Sequence, residues 1–195
     1  MFAILRPVAA ARAEMPRLDG WILGVRQVPS PNCDNRPDDE EVSLIVIHSI
    51  SLPPGVFLGD AVERLFTNRL DSSEHPYYAT LEGLKVSAHF FVRRTGEVLQ
   101  FVPLHMRAWH AGVSSWRGRT RCNDFSIGIE LEGTDAGSYS DAQYAELAGL
   151  MSILRDRLPI RGVAAHSEIA PGRKSDPGPG FDWKRIHAVS PARDI

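Results

Sequence analysis

A run of mostly apolar residues at positions 42–48 (VSLIVIH) constrains the fold more than any other feature of this chain. Its β-branched side chains favour a strand. Because apolar residues occupy positions of both parities, such a strand needs cover on both of its faces. A strand of this kind lies inside a sheet between layers of helices. The run therefore predicts an α/β fold.

Four further segments have strand-like patterns. Residues 86–93 and 97–102 are separated by Arg94-Thr95-Gly96, which indicates a hairpin. Residues 125–131 (FSIGIEL) and the shorter 163–166 complete the set. Because hairpin and longer crossover connections are both present, we expect a central mixed β-sheet flanked by helices.

The clearest helix signal begins at Ser140. Together with Gln143 it forms a capping box that opens a helix extending to about residue 158. Apolar residues recur there at spacings of three and four, which predicts one buried stripe: Tyr144, Leu147, Met151, Leu154 and Leu158. A second, short helix is predicted around residues 60–68.

The chain of 195 residues has no repeats and no obvious linker, so we expect one domain, residues 19–195. Residues 1–18 are interpreted as an appended tail. Arg6, Pro7 and Arg12 interrupt the apolar stretch that a signal peptide would need, so a cytoplasmic location is expected. We also expect a monomer, because the patterns leave no apolar face without a partner.

Charge and cysteine content exclude several classes of protein. The 22 basic and 24 acidic residues give a net charge of −2, which offers no electrostatic case for nucleic acid or an anionic membrane as partner. No run of apolar residues is long enough to span a bilayer. Cys33 and Cys122 form no metal-binding or redox motif and are expected to be reduced thiols.

Two histidines, His48 and His166, end apolar strand-like segments. A single histidine in that position is usually a hydrogen-bonded core residue. Two of them suggest a site, because open α/β sheets bind ligands beyond the ends of their strands.

A Pro/Gly-rich loop at residues 173–179 supplies a carboxylate. Pro177 restricts Asp176 to an extended conformation, so Lys174, two residues earlier, points to the same side. An ordinary surface ion pair in a turn is the alternative interpretation of this pair.

Two histidines and one carboxylate form the ligand set of a catalytic zinc site, in which the fourth position stays open for water. The same set also binds Fe(II) in oxygenases, which leaves a second interpretation open. A general base is then needed. Residues 127–132 alternate strictly, so Glu130 and Glu132 share one face of a strand, and alternation does not choose between them. A solvated acidic face is the alternative.

Four stretches of sequence carry a more specific signal. They are HSISLPPG at 48–55, VSAHFFVRRTGEVLQFVP at 86–103, RAWHAGVSSWRGRTRCNDFSIGIELEGTD at 107–135 and AHSEIAPGRKSDPGPGFDW at 165–183. Together they closely resemble the cytosolic 1,6-anhydro-N-acetylmuramyl-L-alanine amidases of bacterial cell-wall recycling. That group belongs with the zinc amidases that include phage lysozyme-amidases and peptidoglycan recognition proteins.

The resemblance implies a role for each matching position. His48, His166 and Asp176 would be the zinc ligands, Glu130 rather than Glu132 would be the catalytic glutamate, and Lys174 matches a lysine two residues before the aspartate ligand.

The resemblance also implies substrate contacts. Trp109 and Arg121 match residues that line the muropeptide cleft, and His110 lies in the same AWHAG segment. Lys85 stands where the family has an arginine; it keeps the charge but loses the bidentate fork that binds a carboxylate.

The implied activity is hydrolysis of the amide between the lactyl group of anhydro-N-acetylmuramic acid and L-alanine, with a small muropeptide as the only partner. An indirect effect on β-lactamase induction is implied as well. The principal alternative is a peptidoglycan-binding module that keeps the fold without catalysis.

Overall fold

The computed structural model describes residues 20–187. The predicted tail at residues 1–18 lies outside the described residues, as do positions 188–195. The predicted domain boundary at residue 19 therefore stays a prediction.

A mixed β-sheet forms the centre of the described chain. Its six strands are β1 (Arg26–Gln27), β3 (Leu44–Ile50), β4 (Phe90–Val92), β5 (Val98–Gln100), β9 (Ser126–Glu132) and β10 (Gly162–Ala165). They are arranged in the order β1-β5-β4-β9-β3-β10, and only the β4–β5 pair is antiparallel. Two small antiparallel pairs accompany it: β2 (Cys33–Asn35) with β6 (Met106–Ala108), and β7 (Ser115–Trp116) with β8 (Arg119–Thr120).

Helices lie on both faces of the sheet, which confirms the predicted α/β class. They are α1 (Ala61–Phe66), α2 (Pro76–Ala79), α3 (Asp141–Arg157), α4 (His166–Ile169) and α5 (Trp183–His187), with a 3₁₀ turn at Cys122–Phe125. The side chains of residues 44–47 in β3 are completely buried, as the unbroken apolar run predicts.

Helix α3 covers one face of the sheet. Its N-terminus has the predicted capping box. The backbone N–H of Gln143 donates to Ser140 Oγ at 3.1 Å, and the backbone N–H of Ser140 donates to Gln143 Oε1 at 3.0 Å. Its stripe packs against the strand residues that face it, among them Ile45, Ile47 and Ile129. Leu158, predicted as the last member of the stripe, lies at the C-cap just beyond the helix.

The opposite face carries two smaller apolar clusters. One lies under α1 and α2 and includes Phe91 and Phe101; the other includes Leu44, Val46 and Phe125. Because alternate residues of a strand point to opposite faces, His48 shares this side with Leu44 and Val46. The functional side chains discussed below thus lie away from α3.

Some predicted boundaries are wrong. The hairpin strands are limited to three residues each, Phe90–Val92 and Val98–Gln100. β3 continues two residues past His48. β10 ends at Ala165, and His166 begins α4 rather than ending a strand. The turn is favoured because the Glu168 side chain accepts a hydrogen bond from the Ala165 amide at 2.6 Å, as at the start of a helix.

Two features outside the site are the state of the cysteines and the character of the helices. Cys33 and Cys122 are both free thiols, as expected. No helix within residues 20–187 has the length and apolar character required to cross a membrane.

Gln143 joins the capping box to the sheet and offers a stability test. Its buried Nε2 donates to the carbonyls of Val92 and Glu132, at 3.1 and 3.0 Å. We expect Gln143→Ala to lower the free energy of unfolding by about 2 kcal/mol, because these carbonyls lose their donor inside the protein. Ser140→Ala, which removes a cap, is expected to cost about 1 kcal/mol. Urea denaturation measures both losses. Equal losses in the two variants would contradict the role of Gln143 in joining the helix to the sheet.

Candidate metal centre and active-site cleft

Three neighbouring parallel strands bring the predicted residues to one edge of the sheet. In the register of these strands, Ile47 of β3 lies between Ala165 of β10 and Ile129 of β9. The next residue in β3 is His48 and the next in β9 is Glu130, and these two are direct register partners. The residue that follows the end of β10 is His166, the first residue of α4. The site therefore lies near the C-terminal ends of parallel strands, where α/β sheets bind their ligands.

His48, His166 and Asp176 form a buried group with the arrangement of a metal site. His48 Nδ1 and His166 Nδ1 stand 2.9 Å apart. Asp176 Oδ2 lies 3.0 Å from His166 Nδ1 and 3.3 Å from His48 Nδ1. Three potential ligand atoms thus face a common point, which is compatible with a bound metal ion.

The protonation states of this group suit metal binding. Burial lowers the pKa of His48 to about 4, although the Asp176 carboxylate opposes that shift. Burial raises the pKa of Asp176, but the adjacent side chains of His166 and His48 outweigh that effect, so the net shift is downward. At neutral pH the site therefore contains a neutral imidazole at His48 and an ionised carboxylate, which are the forms that bind metals.

The far side of each imidazole also has a partner. His48 Nε2 lies 2.9 Å from His110 Nδ1, and His166 Nε2 lies 3.3 Å from the carbonyl oxygen of Ala111. His110 is itself buried, at 9% exposure. Two adjacent residues, His110 and Ala111, therefore contact the Nε2 atoms of His48 and His166 and hold the two rings in their orientations.

Glu130 lines the cleft beside this group. Its Oε2 is buried and has no hydrogen-bond partner among the described residues. Burial raises the pKa of Glu130 well above its usual value, with a further contribution from Asp176, and the positive charge of Lys174 only partly offsets this. A carboxyl group with a raised pKa in a cleft is typical of a general acid or base.

Glu132, the alternative by sequence alternation, has a different environment. It is 2% exposed, and its carboxylate accepts hydrogen bonds from the backbone amides of Leu58, at 2.5 Å, and Arg94, at 2.9 Å. Both oxygens are occupied in holding loops to the sheet. Of the two glutamates, Glu130 is the one that lines the cleft.

The loop that carries Asp176 is held by residues that no sequence pattern indicates. Tyr139 Oη donates to the Pro177 carbonyl oxygen at 2.7 Å, and the Ser175 hydroxyl donates to Asp135. A β-carbon at Gly178, where φ is +81°, would overlap the Asp135 backbone. These contacts join distant parts of the chain, so no local pattern indicates them.

The cleft has a volume of about 420 Å³ and combines a polar floor with an apolar wall. His166, Asp176, Glu130 and Lys174 supply polar groups to it. The apolar side includes Leu52, Pro54, Tyr77, Leu81 and Leu84. Two of these are unusually exposed for their type, Tyr77 at 36% and Leu84 at 44%, as expected where a ligand with apolar surface binds.

Of the four predicted substrate contacts, only His110 is among the described residues that line this cleft. Trp109 is partly buried and donates from Nε1 to Asp34 Oδ1 at 3.1 Å. The Arg121 side chain is 70% exposed, with Nε 3.0 Å from Asp124 Oδ2. Lys85 is exposed. Their substrate roles stay predictions.

A second, larger concavity of about 940 Å³ lies elsewhere, beside Gly20 and residues 35–42. It is rich in acidic side chains, but within residues 20–187 the group of His48, His166 and Asp176 is the one whose ligand atoms converge. We therefore assign the functional site to the smaller cleft.

Comparison with known proteins agrees with this geometry. Residues 38–179 match the family model described as N-acetylmuramoyl-L-alanine amidase. The chain belongs to the N-acetylmuramoyl-L-alanine amidase family. The matched region contains all three members of the metal-compatible group, and also Glu130 and Lys174.

Individual relatives include 1,6-anhydro-N-acetylmuramyl-L-alanine amidases named AmpD. The chain is 56% identical to AmpD of Citrobacter freundii over 88% of this chain and 92% of that one. It is 54% identical to AmpD of Escherichia coli over 87% and 94%. These identities confirm the AmpD-type resemblance. They also show that this chain is an amidase, which is a kind of hydrolase.

Solved structures have the same fold. A selenomethionine AmpD crystal structure superposes with a TM-score of 0.87 at 55% identity, covering 90% of this chain and 99% of that one. The amidase AmiD of E. coli, in complex with the substrate anhydro-N-acetylmuramic acid-L-Ala-D-γ-Glu-L-Lys, has a TM-score of 0.55 at 32% identity over 80% and 60% of the two chains.

The raised pKa of Glu130 predicts a pH-dependent gain in stability when its charge is removed. A folded-state pKa above 4.5 means that ionisation favours the unfolded chain, so the penalty grows as pH rises from about 4.5. In metal-free protein, Glu130→Gln should raise the free energy of unfolding by about 1–2 kcal/mol at pH 8 and by less at pH 5. Urea denaturation at the two pH values measures this.

Glu132→Gln is the matched control. Its carboxylate accepts two backbone hydrogen bonds, so the amide should lower stability. A loss of stability in Glu130→Gln at pH 8, similar to that of the control, would contradict the buried, unpartnered state of Glu130.

Proposed function

We propose that this protein is a zinc-dependent amidase that cleaves the bond between the lactyl group of 1,6-anhydro-N-acetylmuramic acid and L-alanine in muropeptides. One observation carries the proposal: a converging, buried group of His48, His166 and Asp176 lies in the same cleft as Glu130, whose Oε2 is buried and has no hydrogen-bond partner among the described residues. The named substrate of the AmpD relatives supports the choice of bond.

The ligand atoms suit zinc in kind and in spacing. Zinc takes imidazole nitrogen and carboxylate oxygen at about 2.0–2.2 Å in a tetrahedral arrangement, which places ligand atoms about 3.3 Å from one another. The three separations here are 2.9, 3.0 and 3.3 Å. Three protein ligands leave one position for water or substrate, as in catalytic rather than structural zinc sites.

When bound, zinc supplies a Lewis acid that polarises the amide carbonyl and makes water acidic enough to attack at neutral pH. Glu130 would accept the proton of the attacking water and then deliver it to the leaving nitrogen of L-alanine. The raised pKa of Glu130 supports both roles, because a carboxyl with a raised pKa is a stronger base toward the proton of water and can later return that proton as an acid.

Lys174 would stabilise the negative charge that develops on the carbonyl oxygen. It lines the cleft with Asp176, and its charge acts on both Glu130 and His48. An ammonium group held beside a partly enclosed site stabilises an oxyanion more than it would in bulk water.

The apolar wall of Leu52, Pro54 and Tyr77 would bind the less polar surface of the sugar and peptide. Trp109, Arg121 and Lys85 are proposed to contact parts of a muropeptide that extend beyond the 420 Å³ cleft. A cytoplasmic location and a monomeric state complete the proposal as predictions.

The first functional test is mass-resolved cleavage of anhydro-N-acetylmuramyl-tripeptide. We expect free tripeptide from wild-type protein, loss of activity with a chelator, and recovery with zinc rather than with Fe(II). Asp176→Ala should abolish both zinc retention and turnover. Stoichiometric muropeptide binding without cleavage in the zinc-loaded protein would instead indicate the non-catalytic binding module, and reactivation by Fe(II) alone would contradict zinc.

Variants at the two catalytic positions separate their roles. Glu130→Gln should bind zinc normally and lose about 10²–10⁴-fold in kcat. Lys174→Met should lose about 10²–10³-fold in kcat with little change in KM, because the charge that it stabilises appears only in the transition state. Near-wild-type turnover by zinc-loaded Glu130→Gln would exclude Glu130 as the base.

A further inference from the structure

We infer that His110 is a positioning residue: it accepts a hydrogen bond from His48 Nε2 and thereby keeps the lone pair of His48 Nδ1 directed at the metal. This inference rests on the proposed zinc site. It assigns to His110 a role in metal binding through another residue instead of the substrate contact that the AWHAG segment suggests.

The direction of each proton follows from a chain of hydrogen bonds that ends at a carbonyl. Ser126 Oγ lies 2.5 Å from the Cys122 carbonyl oxygen, which can only accept, so the hydroxyl donates there. The serine oxygen can then only accept from His110 Nε2, which lies 3.2 Å away. His110 therefore has its proton on Nε2 and a lone pair on Nδ1.

That lone pair fixes the next ring. His48 Nε2, at 2.9 Å from His110 Nδ1, must be the donor, so its proton is on Nε2. His48 Nδ1 then has a free lone pair, and it is this nitrogen that faces His166 and Asp176. If His110 donated from Nδ1 instead, His48 would hold its proton on the nitrogen that has to bind the metal.

The position of His110 is rigidly defined. Its ring stands at 86° to that of His48, with centroids 4.9 Å apart. It packs directly on β9 at Gly128, where a β-carbon would come within 2.5 Å of the imidazole. The backbone amides of His110 and Ala111 both donate to Asn123 Oδ1, at 3.2 and 2.8 Å. The ring therefore has little room to turn away from His48.

The second imidazole has a simpler arrangement of the same kind. His166 Nε2 faces the Ala111 carbonyl oxygen, which also leaves Nδ1 free for the metal. A backbone acceptor cannot be removed by substitution, whereas the acceptor for His48 is a side chain. His110 is thus the place where this orientation can be tested.

The test compares zinc affinity in His110→Leu and His110→Asn by competition with a chromophoric chelator. Leucine removes the acceptor at similar bulk, and we expect it to weaken zinc binding by about 10–100-fold. Asparagine can place its Oδ1 where Nδ1 stood, so it should recover most of the affinity. Ser126→Ala removes the hydrogen-bond acceptor for His110 Nε2, and it should weaken zinc binding by less than His110→Leu.

Two further readouts separate orientation from general stability. In zinc-loaded wild-type protein, ¹⁵N NMR should detect an Nε2–H proton on His48 with a coupling across the hydrogen bond to His110 Nδ1. At saturating zinc, KM for the muropeptide should be unchanged in each His110 variant that folds. The NMR measurement applies even if His110→Leu does not fold, because the coupling is observed in wild-type protein.

The outcomes distinguish this inference from the proposed function. Wild-type protein that takes up no zinc would overturn both. If wild type and both His110 variants bind zinc with the same affinity, the positioning role alone is overturned. A proton found on His110 Nδ1 would overturn it as well. A raised KM with unchanged zinc affinity would assign His110 to substrate binding instead.

Discussion

The parallel register of β9, β3 and β10 is the constraint on which the site depends. It aligns Ile129, Ile47 and Ala165 across three strands, so that Glu130, His48 and His166 follow at one edge. Hydrogen bonds between backbones fix that alignment, and the buried apolar residues beneath it resist a shift. A slip of one residue in a strand would turn its functional side chain to the α3 face.

The remaining member of the proposed metal site, Asp176, comes from a loop, and the protein holds that loop by several contacts to residues 133–139. Tyr139 bonds the carbonyl of Pro177, and Asp135 accepts from Ser175, on either side of Asp176. A loop ligand would otherwise lose conformational entropy on binding a metal. Prior organisation of this kind strengthens binding because little ordering remains to be done.

Sequence patterns predicted much of this architecture, and the reasons differ from element to element. The run at 42–48 predicted a doubly covered strand because its apolar residues occupy positions of both parities. The capping box at Ser140 predicted the start of α3 because its hydrogen bonds are local. The end of β10 at Ala165 was missed, since the competing contact from Glu168 favours a helical turn that strand periodicity does not reveal.

The site was predictable only in part. His48, His166 and Asp176 could be grouped by their chemistry, and the resemblance to amidases chose Glu130 over Glu132. Strand alternation could not make that choice, because it depends on Leu58 and Arg94, which approach Glu132 from distant loops. The contact between His110 and His48 likewise joins residues far apart in the chain, so their spacing indicated nothing.

We propose that His48, His166 and Asp176 together bind one zinc ion, and zinc K-edge X-ray absorption of the loaded protein tests this most directly. We expect a four-coordinate ion with two imidazole and two oxygen neighbours, and one imidazole fewer in His48→Ala. Sulfur neighbours from Cys33 or Cys122, a shell of oxygen alone, or an unchanged spectrum in His48→Ala would contradict it.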